Sequence, residues 1–147
     1  MNFWGKLDKL FFCLAPMSDV TDIAFRTILA KYSKDRDNKN KVVFWTEFVA
    51  ADGLANKLGR KKLSHILKYK ENERPIVAQI FGANPKNMKI ACQYIASLDF
   101  DGIDINMGCP VPKIAGRSNA GASLLKDQDR AIKIVEEIKK LDLKIPL

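Results

Sequence analysis

Disulfide frameworks, metal clusters and membrane spans all lack their raw material in this chain. Its 147 residues hold three cysteines, Cys13, Cys92 and Cys109, and a single histidine, His65. An odd number of cysteines with no short spacing between them offers neither a disulfide set nor a zinc site, so no metal is expected. No stretch approaches the roughly 18 consecutive apolar residues of a membrane helix. The first ten residues carry two lysines but no apolar core and no small-residue cleavage site of the kind a leader needs. These gaps lead to the expectation of a cytoplasmic protein in a reducing compartment, with no membrane association. No internal repeat, low-complexity tract or interdomain linker is visible either.

What is present is the composition of a globular domain, 47% hydrophobic and 29% charged. Lysine and arginine number 25 against 17 acids, a net charge of +8 that favours an anionic partner through long-range attraction. The basic residues gather at 57–62, 68–74 and 133–144, where most of them read as solvated helix faces. His65 follows the first of these basic regions in a basic helix and is expected at the surface.

The apolar pattern alternates between two periods. Residues 11–14 form a short apolar run, and 18–22 offer capping groups before Phe25, Ile28, Leu29 and Tyr32 at helical spacing. The polar stretch 34–41 reads as a connection to a second strand, Val42-Val43-Phe44-Trp45, which ends at Thr46-Glu47. A third strand runs over 75–81, closed by Gly82. Asn84-Pro85 then opens a helix with Met88, Ala91, Cys92, Ile95 and Leu98 on one face. Residues 102–106 make a fourth strand, and a last helix starts near Asp127 with Ala131, Ile134, Val135, Ile138 and Leu141 on its buried stripe. Ile145-Pro146-Leu147 resembles the start of a fifth strand. Near-continuous apolar strands alternating with helices predict an α/β protein with a parallel sheet, a (β/α)4 set. The same set is either a small doubly wound sheet or the first half of a TIM barrel, and the final residues favour the barrel.

The most telling stretch is Gly102-Ile103-Asp104-Ile105-Asn106-Met107-Gly108-Cys109-Pro110. It carries an apolar strand straight into a turn that presents a thiol between a glycine and a proline. Loops after the carboxyl ends of parallel strands are where such folds keep their chemistry, so Cys109 reads as a reagent. Cys13 and Cys92, on an apolar strand and an apolar helix stripe, read as structural. Gln79 is an amide in an otherwise apolar strand, offering a donor and an acceptor together. Glu47 and Asp104 read as residues that orient neighbours.

Five segments in order, Ala15-Pro16-Met17, Val20-Thr21-Asp22 with Phe25-Arg26, Gln79-Ile80-Phe81-Gly82, Asn106-Met107-Gly108-Cys109-Pro110 and Gly121-Ala122-Ser123-Leu124-Leu125, closely resemble the tRNA-dihydrouridine synthases over nearly the whole chain. The resemblance implies a TIM barrel that holds FMN, takes reducing equivalents from NADPH or NADH, and reduces the 5,6 double bond of uridine in tRNA. It casts residues 1–147 as the amino-terminal half of the catalytic domain, about four of the eight βα units. The rest of the barrel and a carboxy-terminal helical tRNA-binding domain would follow Leu147, and the chain alone is expected to be inactive and to self-associate. It also implies that Pro16, Met17 and Ser18 pack on the flavin, that Gln79 bonds its pyrimidine end, and that Cys109 protonates the uracil. A thiol suits that last task because, unlike a carboxylic acid, it is largely protonated at neutral pH. Asn106 would reach the uracil or the flavin from beneath the Cys109 loop, and Lys113 and Arg117 would touch RNA phosphate. Two other functions remain open at this stage: a flavoprotein of the dihydroorotate or dihydropyrimidine dehydrogenase kind, and a noncatalytic RNA-binding fragment.

Overall fold

The computed structural model describes residues 2–33 and 41–147. The connection expected over 34–41 therefore lies, except for Lys41, outside the described residues. One sheet runs through the molecule with every pairing parallel. It is built from β1 (Phe12–Cys13), β2 (Val42–Trp45), β3 (Val49–Ala50), β4 (Ile76–Phe81) and β5 (Gly102–Ile105). β2 pairs with β4 through Phe44 and Ile76, and β3 pairs with β4 further along through Val49 and Ile80. The step from Phe44 to Val49 holds one residue more than the step from Ile76 to Ile80, so β2 and β3 are one strand interrupted by a bulge. The bulge removes a ladder acceptor, and the Thr46 hydroxyl replaces it by accepting the Gln79 N–H at 3.2 Å. Counted this way, four strand units stand side by side in chain order, the arrangement of a barrel wall; among the described residues the sheet is not closed.

Helices α1 (Ile23–Ser33), α2 (Ala51–Leu54), α3 (Lys57–Leu63), α4 (Pro85–Ala96), α5 (Pro112–Ala115) and α6 (Gln128–Lys139) fill the connections. Side-chain caps start four of them. Asp22, Asn56, Asn84 and Asp127 accept the N–H groups of Phe25, Gly59, Asn87 and Arg130, and Pro85 takes the first helical position of α4. Alternate residues of β4 split between two faces. Ile76, Ala78 and Ile80 join Phe44, Ile103 and the stripe Met88, Ala91, Cys92, Ile95, Ile134 and Ile138 in the helix-side core. Each large member contributes about 1.5–3 kcal/mol by burial. Burial also pushes the Cys92 thiol up to about 12, so it is inert. The odd residues Val77, Gln79 and Phe81 face the opposite, inner side. Below them the N-terminal turn Phe3–Lys6 stacks Trp4 against Phe11 and Trp45, with ring centroids 5.9 and 6.3 Å apart.

The helix expected from the spacing of Phe25, Ile28, Leu29 and Tyr32 is present as α1, and its inward face is set by other residues. Of Phe25, Ile28, Leu29 and Tyr32, only Leu29 packs against the core; Phe25, Ile28 and Tyr32 are 42%, 60% and 77% exposed, while Arg26 and Ala30 turn inward. The reason is polar. Arg26 finds a complete set of acceptors inside, and the helix rolls to give them to it. At the sheet edges, Leu10, Phe11 and Phe12 are exposed along β1, and on β5 the Ile103 N–H donates to the Pro146 carbonyl at 2.9 Å.

Candidate active site

Four loops leave the carboxyl ends of the strands on one side of the sheet. The first is fixed by short-range bonds: the Thr21 hydroxyl accepts the Met17 N–H at 2.9 Å and donates to the Met17 carbonyl at 3.1 Å. The Asp19 N–H donates to Glu47 in the β2–β3 bulge at 2.6 Å, so Glu47 ties the first loop to the second strand. Behind the loop, Arg26 donates to the Thr21 and Lys68 carbonyls, each at 2.6 Å, and to Glu73 at 2.7 Å. Both charged side chains are fully buried, and Glu73 also accepts from Thr27 and from the Lys70 N–H. Held this way, Pro16, Met17 and Ser18 form a defined ledge, with Met17 42% exposed.

On the inner face a chain of polar groups crosses from β4 to the cysteine loop. Gln79 and Asp104 are register partners, and Gln79 Nε2 donates to Asp104 Oδ2 at 2.5 Å. Gln79 Oε1 accepts from Asn106 Nδ2 at 3.0 Å. Asn106 Oδ1 in turn accepts the N–H groups of Gly108 and Cys109, at 3.1 and 3.0 Å. Gln79 is only 6% exposed, and these bonds meet the cost of burying an amide. They use one of its two Nε2 hydrogens and one of its two Oε1 lone pairs, so each end keeps room for one more partner.

The cysteine loop is closed from the far side. The Cys109 carbonyl accepts the Ala122 N–H at 3.0 Å, and Gly121, at φ +56°, lies so close that an added Cβ would stand 2.6 Å from that carbonyl. Gly121→Ala is therefore expected to cost roughly 1–2 kcal/mol for the left-handed backbone, plus the clash. It should displace the Cys109 loop as well; denaturant unfolding together with alkylation of Cys109 checks both. Gly108 is the reverse case. A Cβ there would meet nothing within 4 Å, so the space over the loop is open to a ligand.

Beside this chain, a cleft of about 540 Å³ lies between the loops, with Ser18, Phe48, Phe81, Gly82, Val111 and Lys113 among its walls. All four strand ends contribute, the second through Phe48, Val49 and Ala50, which the sequence did not single out. Gln79 and Cys109 do not line it; Gln79 sits on the adjoining inner face and Cys109 in the loop after β5. Lys113 and Arg117 are exposed in the segment after Cys109, and His65 is exposed on a turn after α3. Cys13 is exposed on β1, away from Cys109 in the fold. Sequence reasoning read Asp104 as orienting a neighbour without identifying Gln79 as that neighbour, and the Arg26–Glu73 clamp escaped it because the partners are 47 positions apart. A signal for Asp104 existed: an acid interrupting an apolar strand, opposite the amide that interrupts its neighbour. Among the described residues no group of three or more histidine, cysteine or acidic side chains could hold a metal, and no helix is long and apolar enough to cross a membrane.

Comparison with known proteins accounts for this geometry. Residues 13–147 match the family model described as dihydrouridine synthase. The chain is 38% identical over 138 residues to a probable tRNA-dihydrouridine synthase 2 of Bacillus subtilis. It is 36% identical over the same length to a probable tRNA-dihydrouridine synthase of Staphylococcus aureus, and 35% to one of Staphylococcus epidermidis. Each alignment covers 94% of this chain and 40% of the relative, so the chain spans well under half the length of these proteins. With a parallel, barrel-type wall and a strand-end cysteine loop already in place, the match over 13–147 settles the assignment: the chain belongs to the dihydrouridine synthase family.

Proposed function

We propose that this chain supplies the cysteine-bearing rim of an enzyme that reduces uridine in tRNA to dihydrouridine in the cytoplasm, using FMN and NADPH or NADH. The observation that carries the reading is the polar chain from Asp104 through Gln79 and Asn106 to the Cys109 backbone, which fixes the cysteine loop at the strand ends next to the open space over Gly108.

The residues fit a flavin. The Gln79 amide has one donor and one acceptor position to spare, matching the alternating carbonyl and N–H edge of the ring's pyrimidine end. Pro16, Met17 and Ser18 offer the ledge on which the ring would lie. FMN, when bound, supplies the hydride that reduces the double bond at C6. Cys109 then delivers a proton to C5, so that C5 and C6 each gain one hydrogen and the thiolate recovers its proton from solvent. Asn106 positions that thiol through the loop, and its remaining Nδ2 hydrogen is available to the uracil. Lys113 and Arg117, both exposed, would take phosphate. The net charge of +8 draws tRNA to the surface.

Gln79→Ala is expected to weaken FMN retention by about 1–3 kcal/mol, the worth of a buried hydrogen bond left unmade; equal occupancy of wild type and variant at limiting flavin would take Gln79 out of the site. The reading as a whole is tested with the complete polypeptide that carries these residues. It should purify yellow and consume NADPH with unmodified tRNA. Turnover of free dihydroorotate or uracil instead would favour a free-pyrimidine enzyme, and a colourless RNA-binding protein would make the chain noncatalytic.

A further inference from the structure

Asp104 has no part in the reaction just described, yet the polar chain that ends at Cys109 begins with it. An ionised carboxylate only accepts hydrogen bonds, and a backbone N–H only donates. Between these fixed ends stand two amides, each able on shape alone to face either way. With Asp104 beside it, Gln79 must turn Nε2 toward the carboxylate, which leaves Oε1 for Asn106 Nδ2. Asn106 must then give Oδ1 to the loop, where Gly108 and Cys109 supply the donors. Reversing either amide would set oxygen against oxygen at Asp104, or N–H against N–H at the loop. The contact is built into the sheet, since Gln79 and Asp104 are register partners on one face.

We infer that Asp104 is a positioning residue: its carboxylate orients the Gln79 amide and, through Asn106, sets the pose of the Cys109 loop. The effect on the loop follows from the hydrogen-bond pattern alone. The effect on flavin rests on the function proposed above, because it is the orientation of Gln79 that decides which end of the amide meets which atom of the ring.

Alkylation of Cys109 by iodoacetamide in the complete polypeptide, located by peptide mapping, reads the loop without any cofactor. Cys92 is buried and Cys13 falls in a separate peptide, so neither obscures the result. Asp104→Ala should raise the rate about fivefold, the worth of one ordinary hydrogen bond. Asp104→Asn keeps the shape but can face either way, and should raise it about twofold. In a Gln79→Ala background neither substitution should add anything, because Asp104 acts through Gln79. Asp104→Asn should also shift the visible spectrum of bound FMN, which a purely packing role would leave unmoved. Wild-type alkylation rates in both variants, or an undiminished Asp104 effect without Gln79, would overturn the inference. If Asp104→Ala fails to fold, Asp104→Asn with and without Gln79 decides. A wild-type protein that binds no FMN would sink the flavin reading, while the alkylation series would still decide the role of Asp104.

Discussion

Cys109→Ala in the complete polypeptide is expected to slow uridine reduction roughly 10²- to 10⁴-fold, the loss typical of a missing general acid, while leaving oxidation of NADPH by the bound flavin near its original rate. The split follows from the proton-donor role proposed for the side chain. Asn106 and Ala122 hold the loop through the Cys109 backbone, which alanine retains, so the variant loses the proton donor and keeps the loop. Separate stopped-flow measurements of flavin reduction by NADPH and of its reoxidation by tRNA isolate the two half-reactions. A variant slowed equally in both would point to a structural role for Cys109. One that made dihydrouridine at an unchanged rate would remove it from the chemistry.

The second large effect is on stability. Arg26→Ala should lower the unfolding free energy by about 3–5 kcal/mol, because it leaves the Glu73 carboxylate buried without its guanidinium partner. It also strips the Thr21 and Lys68 carbonyls of their donors. Since the Thr21 carbonyl belongs to the turn that fixes Met17, the same substitution should loosen the ledge after β1 and reduce FMN retention beyond the loss of stability. Denaturant unfolding with an unchanged m-value measures the first effect, and flavin titration under fully folding conditions measures the second. A destabilisation below 1 kcal/mol would mean that the pair is wetter than its burial indicates.

Elements with a strong local signal were legible in the sequence. The runs at 42–45, 76–81 and 102–105 are strands because each is apolar and bounded by punctuating residues, and Asp22, Asn84 and Asp127 cap helices where their side chains reach an open N–H. The cysteine turn was equally plain, since Gly108, Cys109 and Pro110 announce a loop wherever they stand. What stayed hidden depends on who lies opposite whom. The bulge that splits the second strand shows only in its register against β4, and the bond between Gln79 and Asp104 only in the pairing of β4 with β5. The inward face of α1 stayed hidden for the same reason: periodicity weighs apolar residues, whereas Arg26 and Glu73 settled the rotation by a contact that no local window contains. For Phe25, Ile28 and Tyr32 the outcome is an apolar row in solvent.

The most direct measurement of the central claim is the dihydrouridine content of tRNA in cells stripped of every other dihydrouridine synthase and supplied with the complete polypeptide, wild type or Cys109→Ala. Nucleoside mass spectrometry should find dihydrouridine in tRNA from the wild-type strain and little or none with the variant present at the same level. Tracts of unmodified uridine in both strains, or equal dihydrouridine in the two, would contradict the account.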